Sequence, residues 1–161
     1  MTSYSILKTP IDDLILVANP THLIGLYFAG CAHVPVAKKE WKLDPGHPIL
    51  RQASAELRDF FDGKRKDFSL PLHAKGTPFQ ERVWKEIARI PFGQTITYSD
   101  LAERAGAPRA VRAAGTATGR NPLGIIVPCH RVVGKNGSFG GYAGGLKMKH
   151  YLIDLEEKNR K

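Results

Sequence analysis

The sequence predicts an α+β protein in two parts: a small antiparallel sheet with one helix over residues 1–74, then a mainly helical unit over 75–161. Three observations predict this. Short β-rich segments crowd the start of the chain, separated by turn residues. Beyond about residue 75, helix start and stop signals take over. The charge divides at the same place. Residues 1–74 carry nine Lys/Arg against eight Asp/Glu, whereas 75–161 carry fifteen against seven, so nearly all of the net +9 lies in the second part. A chain of 161 residues can bury one substantial core or two small ones.

In the first part, "YSILKT", "LILVA" and "LIGLYFAG" read as strands of a meander, with turns at "PIDD" and "NPTH". "EWKLDPGHP" reads as loop. A helix follows over 49–62, because Leu50, Ala53, Leu57, Phe60 and Phe61 share a face and Gly63 is a natural stop. "LPLHAKG" (70–76) reads as the link to the second part.

The second part opens on a helix start. Thr77 can cap, Pro78 suits the first helical position and Gln80 completes a capping box. Phe79, Val83, Trp84 and Ile87 form the apolar face, and Pro91 and Gly93 end the helix. A short helix over 99–105 closes at Gly106, and another from Pro108 to Ala117 closes near Gly119. Joined by "GAP", the pair has the length and turn of a helix-turn-helix. "RNPLG" leads into the β-branched run Ile125, Ile126 and Val127, read as a strand. "GKNGSFGGYAGG" reads as a glycine-rich loop, and the chain closes in a helix over 146–158.

No apolar run approaches the ~20 residues that span a bilayer, so no membrane partner is expected. "MTSYSILKTPIDD" lacks the basic and then apolar regions of a signal peptide. Cys31 and Cys129 are therefore read as reduced thiols in a cytoplasmic protein. The one-sided basic charge suits a polyanionic partner such as nucleic acid; a solvated basic face is the plainer reading.

Three features carry chemistry. Cys129 stands beside His130, which could serve as the base that makes the thiolate, the nucleophilic form. A free thiol with pKa ~8.5 is only a few per cent ionised at neutral pH. Pro128 fixes the backbone before the thiol, and Arg131 adds positive potential. Adjacent side chains on a strand point to opposite faces, so the strand must turn at Pro128 for the pair to cooperate; otherwise Cys129 is a small buried hydrophobe. In the last helix Met148, Tyr151, Leu152 and Leu155 form the apolar stripe. Glu156, four residues after Leu152, is either buried beside a partner such as a histidine or turned to solvent like Glu157. In "PRAVRAAGTATG", Arg109 and Arg112 are three apart among Ala, Gly and Thr. Such a helix either approaches nucleic acid closely or packs tightly inside the protein.

"PCHRV" at 128–132 resembles the active-site signature of the O6-alkylguanine-DNA alkyltransferases. The whole of "RNPLGIIVPCHRVVG" is similar to that family's active-site segment. "PFGQTITYSDLA" and "RAVRAAGTATGRNP" look like its helix-turn-helix, and "GGYAGGLKMKHYLIDLE" looks like its closing loop and helix. The resemblance is dense over 78–157 and looser over 1–75. It implies a ribonuclease H-like first domain (1–74) and a winged-helix-like catalytic domain (75–161) that binds double-stranded DNA. The implied activity is single-turnover repair by direct reversal. The alkyl group of O6-alkylguanine, and more weakly of O4-alkylthymine, would pass to Cys129 after the base is flipped out.

The resemblance also implies roles. His130 would deprotonate Cys129 through a water, with Glu156 orienting His130. Asn121 would hold the turn before the active-site segment. Tyr98 would protonate guanine N3, and Arg112 would fill the gap left in the duplex. Arg109, Ala110, Ala113 and Arg120 would join Tyr98 and Arg112 at DNA. Pro128, Val132, Tyr142, Ala143 and Gly144 would line the base pocket. Ala143 stands where the family often has a serine, leaving the contact to guanine O6 to backbone N–H groups. The zinc site of some members needs two Cys and two His, and with Cys31 alone in that half no metal is expected; no cofactor is implied either. A monomer is expected, with cooperative binding along DNA left open.

Two other classes are weighed. A damage-binding protein without alkyl transfer would lack the cysteine. A helix-turn-helix transcription factor would leave Glu156, Asn121 and the Cys-His pair unexplained. Transfer of label from methylated DNA to protein separates the three.

Overall fold

In a computed structural model, the structure describes residues 2–29, 41–135 and 145–160. The chain forms two compact units, Met1–Ala74 and Lys75–Lys161.

The first unit is a sheet with one helix. Strands β1 (Ser3–Leu7), β2 (Leu14–Ala18) and β3 (Leu23–Phe28) form an antiparallel meander, in register Leu7 with Leu14 and Leu14 with Phe28. The period-2 pattern sends Leu7, Leu14, Leu16, Leu26 and Phe28 to one buried face. Helix α1 (Pro48–Phe61) buries Leu50, Ala53, Leu57 and Phe60. The segment expected as loop contains a two-residue strand, β4 (Lys42–Leu43), parallel to β1. Its side chains are exposed, so it leaves no hydrophobic signal in the sequence; backbone hydrogen bonds alone define it. The residues around Cys31 lie outside those described.

The second unit begins with α2 (Pro78–Ala88), capped by the expected reciprocal bonds between Thr77 and Gln80. Strand β5 (Ile96–Thr97) leads directly into α3 (Tyr98–Arg104), where Thr97 and Asp100 form a second capping box. Helix α4 (Val111–Gly119) packs against both α2 and α3. It buries Ala114, Ala117 and Thr118, and the Trp84 indole N–H donates to the Ala117 carbonyl at 2.8 Å. Small residues let these backbones approach, while Arg112, Ala113 and Thr116 stay on the outer face. The helix begins three residues later than its sequence suggests. Arg109 therefore lies in the turn before it, and Arg109 and Arg112 do not share a helical face.

Strand β6 (Val132–Val133) pairs with β5 in parallel, and α5 (Leu146–Asn159) completes the unit. The expected strand at Ile125–Val127 is a series of tight turns instead. Its apolar residues are buried, but local bonds take its backbone: Ile126 N–H donates to Gly124 O and Val127 N–H to Leu123 O. A short apolar run does not distinguish a strand from a buried turn.

Candidate active site

The turns position the thiol. Asn121 braces them from inside: its Nδ2 donates to the Val127 carbonyl at 2.8 Å, and its Oδ1 accepts from Leu123 N–H at 2.9 Å. Ile125, at the centre of the tightest turn, has φ 71°. A β-branched residue in the left-handed region costs ~1–3 kcal/mol and persists only where its surroundings enforce it. The two Asn121 bonds and the burial of Leu123, Ile125, Ile126 and Val127 supply that enforcement. At Pro128 (φ −80°, ψ 66°) a further tight turn is closed by Cys129 N–H on Val127 O, at 2.8 Å.

Cys129, His130 and Arg131 then form one turn of 3-10 helix rather than strand. At three residues per turn, successive side chains diverge by ~120° instead of the ~180° of a strand. Thiol and imidazole thus leave the backbone on neighbouring faces. Cys129 is buried and in the free thiol state, and His130 is fully buried.

Glu156 is buried at 2% exposure, so the solvent-facing alternative fails. Its Oε2 lies 2.6 Å from His130 Nε2 and accepts Arg131 Nη2–H at 2.8 Å. Its Oε1 accepts Arg131 Nε–H at 2.7 Å and Gly93 N–H at 3.2 Å. Arg131 Nη1 is tied off on the Ile90 carbonyl at 2.6 Å. Burial alone would raise the Glu156 pKa; the donors from His130 and Arg131 outweigh it and bring it down to about 2. Burial lowers the His130 pKa, against the opposing pull of Glu156, so the ring is neutral at neutral pH. A neutral ring that gives its Nε2 proton to Glu156 leaves Nδ1 as the basic nitrogen. Nδ1 is buried and has no hydrogen-bond partner among the described residues.

Tyr98 is half-buried at the start of α3. Burial first, and the Cys129 charge second, raise its hydroxyl pKa, which keeps it a proton donor at neutral pH. Lys149 Nζ lies 5.7 Å from the centre of its ring and donates to the Val132 carbonyl at 2.6 Å. The sequence reading missed Lys149. It placed Tyr151 and Leu155 on the buried stripe of α5, where the structure half-exposes both and buries Met148, Lys149, Leu152 and Glu156. The signal was present: Lys149 and Glu156 are seven apart with Leu152 between them, which is one helical face. The sequence suggests no more for Arg131 than positive potential, whereas in the structure it is the bidentate partner of Glu156.

Pro128 and Val132 are buried, one residue before and three residues after Cys129. Arg109, Arg112, Ala113 and Arg120 are exposed and Ala110 is half-exposed, along the face of α4 and its flanking turns. Tyr142, Ala143 and Gly144 lie outside the described residues.

Comparison with known proteins agrees with this geometry. Residues 2–74 match the 6-O-methylguanine DNA methyltransferase ribonuclease-like domain, and 78–158 match the DNA binding domain of the same family. A constitutive methylated-DNA–protein-cysteine methyltransferase of Bacillus subtilis is 42% identical over 160 residues, covering 97% of this chain and 96% of the relative. One from Methanosarcina mazei is 42% identical over 158 residues, covering 98% and 99%. The crystal structure of Mycobacterium tuberculosis O6-methylguanine methyltransferase superposes with TM-score 0.91 at 38% identity, covering 99% of this chain and 94% of that one. The same protein in complex with DNA gives TM-score 0.91, covering 98% and 94%. No helix among the described residues is long and apolar enough to cross a membrane. The chain belongs to the methylated-DNA–protein-cysteine methyltransferase family.

Proposed function

We propose that this protein repairs DNA by direct reversal, moving the alkyl group from O6 of guanine in double-stranded DNA onto Cys129 in one irreversible turnover. The observation that carries this reading is the buried relay: a free thiol, then a neutral imidazole whose Nε2 is held 2.6 Å from the Glu156 carboxylate. His130 Nδ1 takes the thiol proton through a bridging water, and Glu156 stabilises the imidazolium that forms. The soft thiolate attacks the sp³ carbon in line with the leaving O6. Tyr98, a phenol with a raised pKa, gives guanine N3 a proton so that the base leaves neutral.

The product is a thioether, a bond inert to hydrolysis under ordinary conditions, so each molecule acts once. Asn121 holds the turn that presents the thiol. Arg112, on the exposed face of α4, fills the space left by the flipped nucleotide, with Arg109, Ala110, Ala113 and Arg120 on the adjoining backbone. Pro128 and Val132 contact the base, together with Tyr142, Ala143 and Gly144. O4-alkylthymine is a weaker substrate, and the protein acts as a cytoplasmic monomer. The similar M. tuberculosis protein has been crystallised with DNA, which supports DNA as the partner.

Intact mass after incubation with excess duplex containing O6-methylguanine tests the reading. One methyl group per molecule, mapped to Cys129, is expected. Several turnovers per molecule, label on Cys31, or no label would overturn it.

A further inference from the structure

We propose that Lys149 is the fixed counter-ion of the Cys129 thiolate, so that alkylation strands its charge inside the protein. The inference rests on Cys129 as the alkyl acceptor. Lys149 has no exposed surface. Its ammonium has a neutral carbonyl (Val132 O, 2.6 Å) and the face of a neutral phenol (Tyr98, 5.7 Å) for company. Among the described residues no carboxylate is within ion-pair distance of it; the buried acid on the same helix, Glu156, is taken by Arg131 and His130. The surrounding charged groups balance without it. Arg131 and Glu156 cancel and Tyr98 keeps its proton; in the resting thiolate state His130 is neutral, because the thiol proton it accepts passes on to solvent.

One positive charge is left over, and an unpaired buried ammonium is costly. Cys129 is 4% exposed and stands three residues before the carbonyl that Lys149 holds, so its thiolate can supply the missing negative charge. The electrostatics agree: burial weakens the proton affinity of Lys149 and the Cys129 charge restores part of it.

The reaction removes that balance. The sulfur–carbon bond forms, the carbon–O6 bond breaks, and the electron pair of the broken bond stays on O6. The guanine gains one proton from Tyr98, which is reprotonated from solvent, and this makes good the proton Cys129 lost on ionising. Thioether and guanine are both neutral, yet Lys149 keeps its charge. Alkylation therefore loosens the segment around Val132 at the moment the protein is spent.

The test uses the full chain carrying Cys31→Ser, so that Cys129 is the one remaining thiol. Iodoacetamide reactivity is measured against pH in this protein and in Lys149→Met and Lys149→Arg variants. Lys149→Met is expected to move the midpoint up by about one pH unit, which is about a tenfold loss of rate at any pH well below the midpoint; Lys149→Arg restores most of it. Carbamidomethylation lowers Tm when Lys149 is present and leaves Tm of Lys149→Met unchanged. An unshifted midpoint, or an equal Tm loss in both proteins, would overturn the proposal. If Lys149→Met does not fold, nitrogen-15 NMR of the Lys149 ammonium decides: its pKa must fall on alkylation, and an unchanged titration refutes the idea. Failure to take methyl from methylated duplex would refute the repair reading while leaving these titrations decisive.

Discussion

Among the described residues each unit buries one glutamate, and the two are solved alike but, under the proposed function, used differently. Glu56, on α1, is 4% exposed; Glu156, on α5, is 2% exposed. Each carboxylate has donors on both oxygens. Glu56 accepts from Gln52 Nε2 (2.8 Å), Ser69 N–H (2.8 Å) and Ser69 Oγ–H (2.9 Å), with the part-exposed Arg65 at 3.7 Å. Glu156 accepts from His130, twice from Arg131, and from Gly93 N–H. Burial pushes both pKa values up, and the donors win in both cases. The difference lies in the donors. Glu56 is satisfied mainly by groups that cannot titrate, and its product is a loop pinned to a helix. Glu156 is satisfied by an imidazole and a guanidinium, so its charge is coupled to a proton that can move. A buried acid becomes part of a reaction through what donates to it, not through being buried.

The sharpest way to break this comparison is to neutralise each acid. Glu156→Gln is expected to slow alkyl transfer by about 10²-fold or more, the usual range for disabling a general-base system. Glu56→Gln leaves the transfer rate within about twofold and lowers Tm instead, by an amount set by unsatisfied donors worth ~1–3 kcal/mol. Single-turnover rates and thermal melts on both variants decide it; equal rate losses would mean that Glu156 is structural too.

The basic partners give the next largest contrast. Arg131→Ala strands Glu156 in the interior and is expected to cost ~3–5 kcal/mol. Arg65→Ala removes a longer, part-exposed pairing worth less than ~1 kcal/mol. Urea unfolding measures both, and similar losses would erase the distinction between the sites.

Acid separates them further. The Glu156 pKa falls from 4.5 to about 2 on folding, so its contribution is complete above about pH 5 and is lost progressively as pH drops towards 2. The shift corresponds to ~3 kcal/mol. His130 adds a loss beginning nearer pH 6.5, because its lowered folded pKa leaves the unfolded chain to take the proton first. Stability against pH for wild type and Glu156→Gln should converge near pH 2; parallel curves would contradict the assignment.

The smallest effect on the fold lies outside both networks. Arg112 is exposed, so Arg112→Ala should change stability by less than ~0.5 kcal/mol. Under the proposed role it slows repair in duplex DNA and spares the free base O6-benzylguanine, which needs no flipping. Tyr98→Phe slows both reactions. An equal loss on the two substrates for Arg112→Ala would assign that residue a structural role.

The sequence by itself determined a good deal here. Period-2 and helical patterns marked the meander and the main helices, and Thr77-Pro78 and Gly106 marked helix ends, because backbone preferences and caps are local. "PCHRV" with "RNPLG" and the closing helix marked the family, since their resemblance to it is carried by contiguous local motifs. The tertiary structure alone decided the rest. It showed that Ile125–Val127 is a braced turn and not a strand, because the Asn121 bonds that stabilise an unfavourable φ have no signature in a short apolar run. It placed β4, whose exposed side chains record nothing of its pairing. And it turned α5 so that Lys149 and Glu156 face inward. Hydrophobicity would place both outside; they are stable inside because Val132 O, Tyr98, His130 and Arg131 arrive there from distant parts of the chain.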